Sequence, residues 1–214
     1  MTPSEQSAAT RAIAARAPII PVLVIEDVAH ARPLAEALVA GGLPALEVTL
    51  RTPAALDAIR AMAAVPGGIV GAGTLLTPED VRAAKAAGAR FGVSPGATPR
   101  LIAASIAEGL PLLPGAATAS EVMVLWEQGY DMLKFFPAEA AGGAPALKAI
   151  GAPIPQVSFC PTGGVSPANA KAYLSLPNVL CAGGSWVAPA DSVAAGDWAA
   201  IEGLARAAAA LPRR

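Results

Sequence analysis

Positive charge is scarce in this chain. Its 214 residues carry 15 Lys and Arg against 16 Asp and Glu, a formal net charge of −1. No basic stripe runs through the sequence, so it lacks the electrostatic footprint of a nucleic-acid binder. Histidine occurs once, at His30, and cysteine twice, at Cys160 and Cys181. Neither cysteine has a partner at metal-ligand spacing, and no metal is expected. Both sit in apolar runs, where they read as buried thiols of a cytoplasmic chain rather than a disulfide framework. Long hydrophobic runs are missing as well. "APIIPVLVI" is broken by proline and falls well short of the ~18 residues of a membrane span. The N-terminal stretch has no cationic start, apolar centre and small-residue cleavage site, so no signal peptide is expected. No GxGxxG follows the first strand, and no dinucleotide or other cofactor is indicated. A magnesium site built only from carboxylate oxygens stays conceivable.

Hydrophobic residues are abundant, at 54% of the chain. Short β-rich runs alternate with alanine-rich helical stretches. Strands are predicted at 19–25, 45–50, 68–74, 90–96, 110–116, 132–137, 156–164 and 178–185. Helices are expected in "DVAHARPLAEALVAGG", "PAALDAIRAMAAV" and "PEDVRAAKAAG", many of them opened by a Thr or Ser followed by proline. Eight such repeats predict an α/β chain folded as a (β/α)8 TIM barrel, one domain over residues 1–214 with an additional N-terminal helix within residues 1–16 capping it. A doubly wound open sheet is the alternative, because alternation alone does not show closure.

In a barrel of this kind the chemistry sits at the C-terminal ends of the strands. Strand two, "ALEVTLR", alternates Leu46, Val48 and Leu50 with Glu47, Thr49 and Arg51. The apolar set is expected beneath the helices and the polar set inside. A structural salt bridge would account for Glu47 and Arg51, although desolvation offsets most of what a buried pair gains. Of the four lysines, Lys85, Lys148 and Lys171 fall in helical stretches, and only Lys134, in "DMLKFFPAE", falls in a strand. Its head can snorkel to water. Alternatively it sheds its proton and, as a neutral amine, forms a Schiff base with a carbonyl substrate, with Glu47 as the base that moves protons.

The last two strands end in "PTGGVSP" and "AGGSWVAP". Paired glycines let backbone N–H groups converge on an anion, helped by a helix N-terminus, and the loops after strands seven and eight are the usual phosphate site of the barrel. Tight turns needing positive φ are the plainer explanation of each pair. "GAGT" (71–74) and "SPG" (94–96) end strands three and four. There Thr74 can hold a carboxylate while Gly71 and Gly73 leave room inside, or the small residues simply fill a taper.

Taken in order, "LEVTLRT", "GAGT", "SPG", "KFFPAE", "FCPTGG" and "GGSW" resemble the class I 2-keto-3-deoxy-6-phosphogluconate (KDPG) and 4-hydroxy-2-oxoglutarate (KHG) aldolases over about residues 12–205. The resemblance implies a homotrimeric barrel that cleaves the phosphorylated keto acid to pyruvate and glyceraldehyde 3-phosphate. It also implies roles: Lys134 as Schiff-base lysine, Glu47 as proton shuttle, Arg51 and Thr74 at the pyruvate carboxylate. Thr162 would lie near the C4 hydroxyl, Gly163, Gly164, Gly184 and Ser185 around the phosphate, and Pro95 and Phe136 along the apolar wall. The chain departs from the family pattern in "PGAATASE", where Ala116 and Ala117 make that edge smaller and less polar. The two phosphate loops also carry no Lys or Arg, which implies some tolerance of unphosphorylated acids. Two rivals share parts of this pattern: a phosphate-binding barrel isomerase, epimerase or synthase, and a catalytically inactive sugar-phosphate binder.

Overall fold

The computed structural model describes residues 1–213, over which short parallel strands alternate with helices. The strands are β1 (Ile19–Leu23), β2 (Ala45–Thr49), β3 (Ile69–Gly73), β4 (Gly92–Val93), β5 (Leu112–Leu113), β6 (Gly115–Ala116), β7 (Met132–Phe135), β8 (Ser158–Pro161) and β9 (Ala182–Gly184). Six pair in the order β5–β4–β3–β2–β1–β9 and three in the order β6–β7–β8. Isolated parallel bridges, Phe159 with Val179 and Thr162 with Gly183, run between the β8 and β9 segments.

The architecture is thus α/β with parallel sheets, but the strand expected over 110–116 is two pieces, β5 and β6, separated by Pro114. Proline has no N–H to donate to a ladder. Its carbonyl still accepts a 2.9 Å bond from Lys134 N, so the chain passes from one sheet to the other without losing its place beside β7. Most other strands are shorter at their ends than periodicity suggests; β4 keeps only two residues of the stretch 90–96.

Alternation along the strands sorts side chains into two cores. Leu46, Val48, Leu133 and Phe135 point to the helices and join the large outer cluster. Ala45, Ile20, Phe91, Met132, Cys160 and Cys181 form a second cluster on the opposite face. The helix α1 (Pro3–Ala14) opens with a capping box between Thr2 and Glu5 and buries a polar stripe of Gln6, Ser7 and Thr10. Gln6 Oε1 accepts from Leu112 N and from the Tyr130 hydroxyl, and Ser7 Oγ accepts from Asp131 N. Arg11 donates to Ser158 Oγ and the Asp131 carbonyl. This helix therefore satisfies backbone groups at the N-terminal ends of β5 and β7 and the Ser158 hydroxyl at that of β8, opposite the ends where the predicted site residues gather.

Helix caps follow the Thr-Pro signal only in part. Thr77 and Thr98 cap the helices Pro78–Ala86 and Pro99–Glu108 as expected. Thr52 instead donates across to the Ile25 carbonyl, and the helix Ala55–Ala63 begins without a side-chain cap.

Candidate active site

β2 and β7 lie in different sheets, yet they bring their central inward side chains together. Lys134 Nζ lies 3.4 Å from Glu47 Oε1, with both side chains about 95% removed from solvent (5% and 4% exposed). The ammonium also stands 5.1 Å above the centre of the Phe136 ring, a favourable approach of a cation to a π face. Phe136 precedes a cis peptide bond to Pro137.

Glycine makes this pair possible. Gly73 is the register partner of Thr49, and a Cβ at Gly73 would lie 2.3 Å from Glu47 Oε1. The room predicted inside is therefore occupied by the carboxylate itself. Gly71 does the same for the Phe91 ring, which a Cβ there would meet at 2.4 Å. Immediately after Gly73, Thr74 adopts φ 62°, a left-handed conformation that costs a non-glycine residue about 1–3 kcal/mol. In this conformation its Oγ1 accepts a 3.3 Å bond from Arg51 Nε, so the expected carboxylate-binding pair meets at the exposed rim.

The remaining predicted residues lie around this centre. Pro95 is half-buried after β4, its carbonyl oxygen 2.2 Å from where a Cβ at Gly115 would stand, and Gly115 is the register partner of Lys134. Thr162 is buried beside Cys160, its Oγ1 2.3 Å from where a Cβ at Gly183 would stand. Gly163 and Gly164 take φ 101° and 79°, as predicted for tight turns, and Gly163 packs against the Phe136 ring. Gly184 lies under the Trp186 ring, where any side chain would collide. Ser185 is exposed and lines a cavity of about 590 Å³ shared with Val22, Val24, Glu26, His30 and Trp186. Val22 is the register partner of Glu47, but neither Glu47 nor Lys134 lines this cavity, which lies between the ends of β1 and β9 and the helices that follow them.

One expectation fails in detail. The helices after the two glycine loops begin only at Ala170 and Ala190, several residues past Gly164 and Ser185, because turns intervene. Any anion held there would rest on loop N–H groups and Ser185, not on a helix N-terminus. Among the described residues no cluster of three or more His, Cys, Asp or Glu could hold a metal ion, and no helix is long and apolar enough to cross a membrane.

A shielded amine next to a carboxylate, with an arginine at the rim, can add to a ketone and pass protons, which is the equipment of an enzyme working through imines. Comparison with known proteins narrows that class. Residues 10–204 match the family model described as KDPG and KHG aldolase. The chain is 57% identical to the 2-dehydro-3-deoxy-phosphogluconate aldolase of Pseudoalteromonas atlantica, over 90% of each chain. It is 54% identical to the KHG/KDPG aldolase of Escherichia coli strain K12, over 89% of this chain and 90% of that one. A solved KDPG aldolase of Legionella pneumophila, with pyruvate captured as a covalent carbinolamine intermediate, superposes with a TM-score of 0.91 at 48% identity, over 94% and 98% of the two chains. The chain belongs to the KDPG and KHG aldolase family, and with it to the lyases.

Proposed function

We propose that the chain is a class I aldolase that cleaves 2-dehydro-3-deoxy-6-phosphogluconate to pyruvate and glyceraldehyde 3-phosphate, and that it also cleaves 4-hydroxy-2-oxoglutarate. The observation that carries this reading is the 3.4 Å approach of Lys134 Nζ to Glu47 Oε1 inside the protein. The names of the relatives and the carbinolamine in the Legionella enzyme support it.

Breaking C3–C4 of the substrate leaves an electron pair on C3, next to the C2 ketone. Lys134 passes its proton to Glu47, the freed amine attacks C2, and Glu47 returns that proton to the C2 hydroxyl so that it leaves as water; the resulting iminium draws the C3 pair in as an enamine. The C4 hydroxyl gives its proton to Glu47 as the C4–O bond becomes the carbonyl of the aldehyde. Glu47 then returns a proton to C3, and water releases pyruvate from Lys134. General acid–base help of this kind contributes about 10²–10⁴-fold. Arg51 and Thr74 hold the carboxylate and thereby fix the plane in which the iminium and the breaking bond overlap. Thr162 faces the C4 hydroxyl, Pro95 and Phe136 wall the pyruvate end, and Gly163, Gly164, Gly184 and Ser185 receive the phosphate. The iminium is itself the electron sink, so the step requires no metal or organic cofactor.

The same reading has β5 and β6 act as one interrupted strand, so that eight strands close into a (β/α)8 barrel with α1 across its floor, one domain over the whole chain. The active form is a cytoplasmic homotrimer. Borohydride added with pyruvate leaves a reduced pyruvyl adduct on Lys134, read by peptide mass spectrometry; labelling at another residue sinks the assignment. Lys134→Ala abolishes pyruvate release while the circular dichroism of the fold survives, and substantial residual turnover rules the lysine out.

A further inference from the structure

Glu139 lays the methylene stem of its side chain against the loop assigned to the phosphate. Its Cγ lies 2.6 Å from where a Cβ at Gly164 would stand, so only the absence of a side chain there lets the two pack. The carboxyl carbon is one bond further on, directed away and beyond 4 Å from that position. Swung onto the loop, its negative charge would repel a phosphate dianion. It is restrained: Glu139 Oε1 accepts a hydrogen bond from the hydroxyl of Tyr173, a fully buried residue of the helix Ala170–Leu174. Burial, and then the Glu139 carboxylate itself, push the Tyr173 phenol well above its ordinary pKa, so it stays a donor. Gly143, at φ 68°, borders both oxygens: a Cβ there would stand in ordinary contact, 3.4 Å from Glu139 Oε1 and 3.6 Å from the Tyr173 hydroxyl.

The same segment orients the loop. Gly163 O accepts from Glu139 N at 3.0 Å, and Gly164 O accepts from Asn169 Nδ2 at 3.1 Å. In a trans peptide the N–H points opposite to the carbonyl. Tying these two carbonyls to one side therefore turns the N–H groups of Gly164 and Val165 to the other.

We propose that Tyr173 and Glu139 are positioning residues for the phosphate end of the substrate: the phenol holds the carboxylate away from the Gly163–Gly164 loop, and that restraint sets the preference for phosphorylated over unphosphorylated acids. The proposal rests on the phosphate reading of this loop.

The test compares the KM for the phosphorylated keto acid, the KM for 4-hydroxy-2-oxoglutarate, and competitive inhibition by inorganic phosphate. Tyr173→Phe releases the carboxylate and is expected to raise the first KM and the phosphate inhibition constant by about three- to tenfold, as expected for a partly screened like charge. The KM for 4-hydroxy-2-oxoglutarate and both kcat values stay within about twofold. Glu139→Asp, which disturbs no buried ring and draws the carboxylate back from the phenol, gives the same shift even if Tyr173→Phe does not fold. Tyr173→Phe combined with Glu139→Gln returns the phosphorylated-substrate KM to near the parent value, a rescue that simple loosening of the loop would not give. Equal effects on both substrates, or no rescue, overturn the proposal while leaving the loop assignment standing. Failure of phosphate to inhibit the unmodified enzyme overturns the loop assignment and the proposal with it.

Discussion

On β7 the inward side chain at Met132 belongs to a dry apolar cluster, while the next inward one, at Lys134, is charged. The same step runs from Ala45 to Glu47 on β2 and from Cys160 on β8 to Thr162 just past its end. Two residues along a strand is only about 6.6 Å, yet chemistry reverses across it. The lower layer is built for cohesion, with Phe91 seated over Gly71 and α1 satisfying the strand ends beneath. The upper layer gives cohesion up. A buried ion pair gains little net stability, because desolvating both charges offsets their attraction, and Thr74 adds backbone strain at the rim. Stability and reactivity are thus stacked on the same strands and should be separable by mutation.

The sharpest separation is expected at the ion pair. Lys134→Met leaves Glu47 buried without its partner and is expected to cost about 3–5 kcal/mol along with all turnover. Adding Glu47→Leu should recover most of that stability in denaturant melts, and none of the pyruvate release. If the double variant stays as unstable as the single one, the upper layer contributes cohesion after all.

The two glycines of β3 give the next contrast. Gly73→Ala pushes the Glu47 carboxylate out of place and is expected to lower kcat by about 10²-fold with KM little changed. Gly71→Ala collides with Phe91 in the lower layer and is expected to cost about 1–3 kcal/mol of stability, with kcat per folded molecule preserved. Steady-state assays set beside melting curves distinguish the two patterns.

Alkaline pH probes the floor through Tyr130 and Cys181. Burial pushes the Tyr130 phenol up to about 12. The Cys181 thiol is raised as well, by the neighbouring Cys160 first and by burial second. Both groups are held neutral in the folded state and ionise more readily when unfolded, so their contribution is whole below the unfolded pKa and is lost as pH climbs toward the folded one. For Tyr130 that window opens near pH 10, and the loss approaches about 2–3 kcal/mol by pH 12. Tyr130→Phe should flatten its part of the slope in melts across that range. The smallest effect belongs to the surface: Arg11→Ala, which breaks a half-exposed pair with Asp131, is expected to cost no more than about 1 kcal/mol and to leave turnover unchanged.

Much of this arrangement is legible in the chain itself. Period-two alternation in "ALEVTLR" puts Glu47 on the face opposite Leu46 and Val48, and the structure places it there. Lys134 is the one lysine in a strand, and it is buried. Gly163 and Gly164 do mark a turn of positive φ, whereas Gly183 and Gly184 are extended residues of β9 that let Thr162 and Trp186 pack close. Other features were hidden for physical reasons. Pro114 splits a strand because a missing N–H matters only once the neighbouring strand is known. The buried face of α1 is polar, so hydrophobic periodicity could not reveal that it docks on strand ends. Glu139 and Tyr173 are 34 residues apart, and neither pattern nor spacing points from one to the other.

Which way a side chain leans from its strand is a local matter, set by the pleat, and residue order alone determined it here. Whether two inward side chains meet is not local. Glu47 and Lys134 stand 87 positions apart in different sheets, and their 3.4 Å approach exists because the two sheets pack so that β2 and β7 turn these side chains toward each other. Backbone sterics act between neighbours, whereas that distance depends on every strand packed between them.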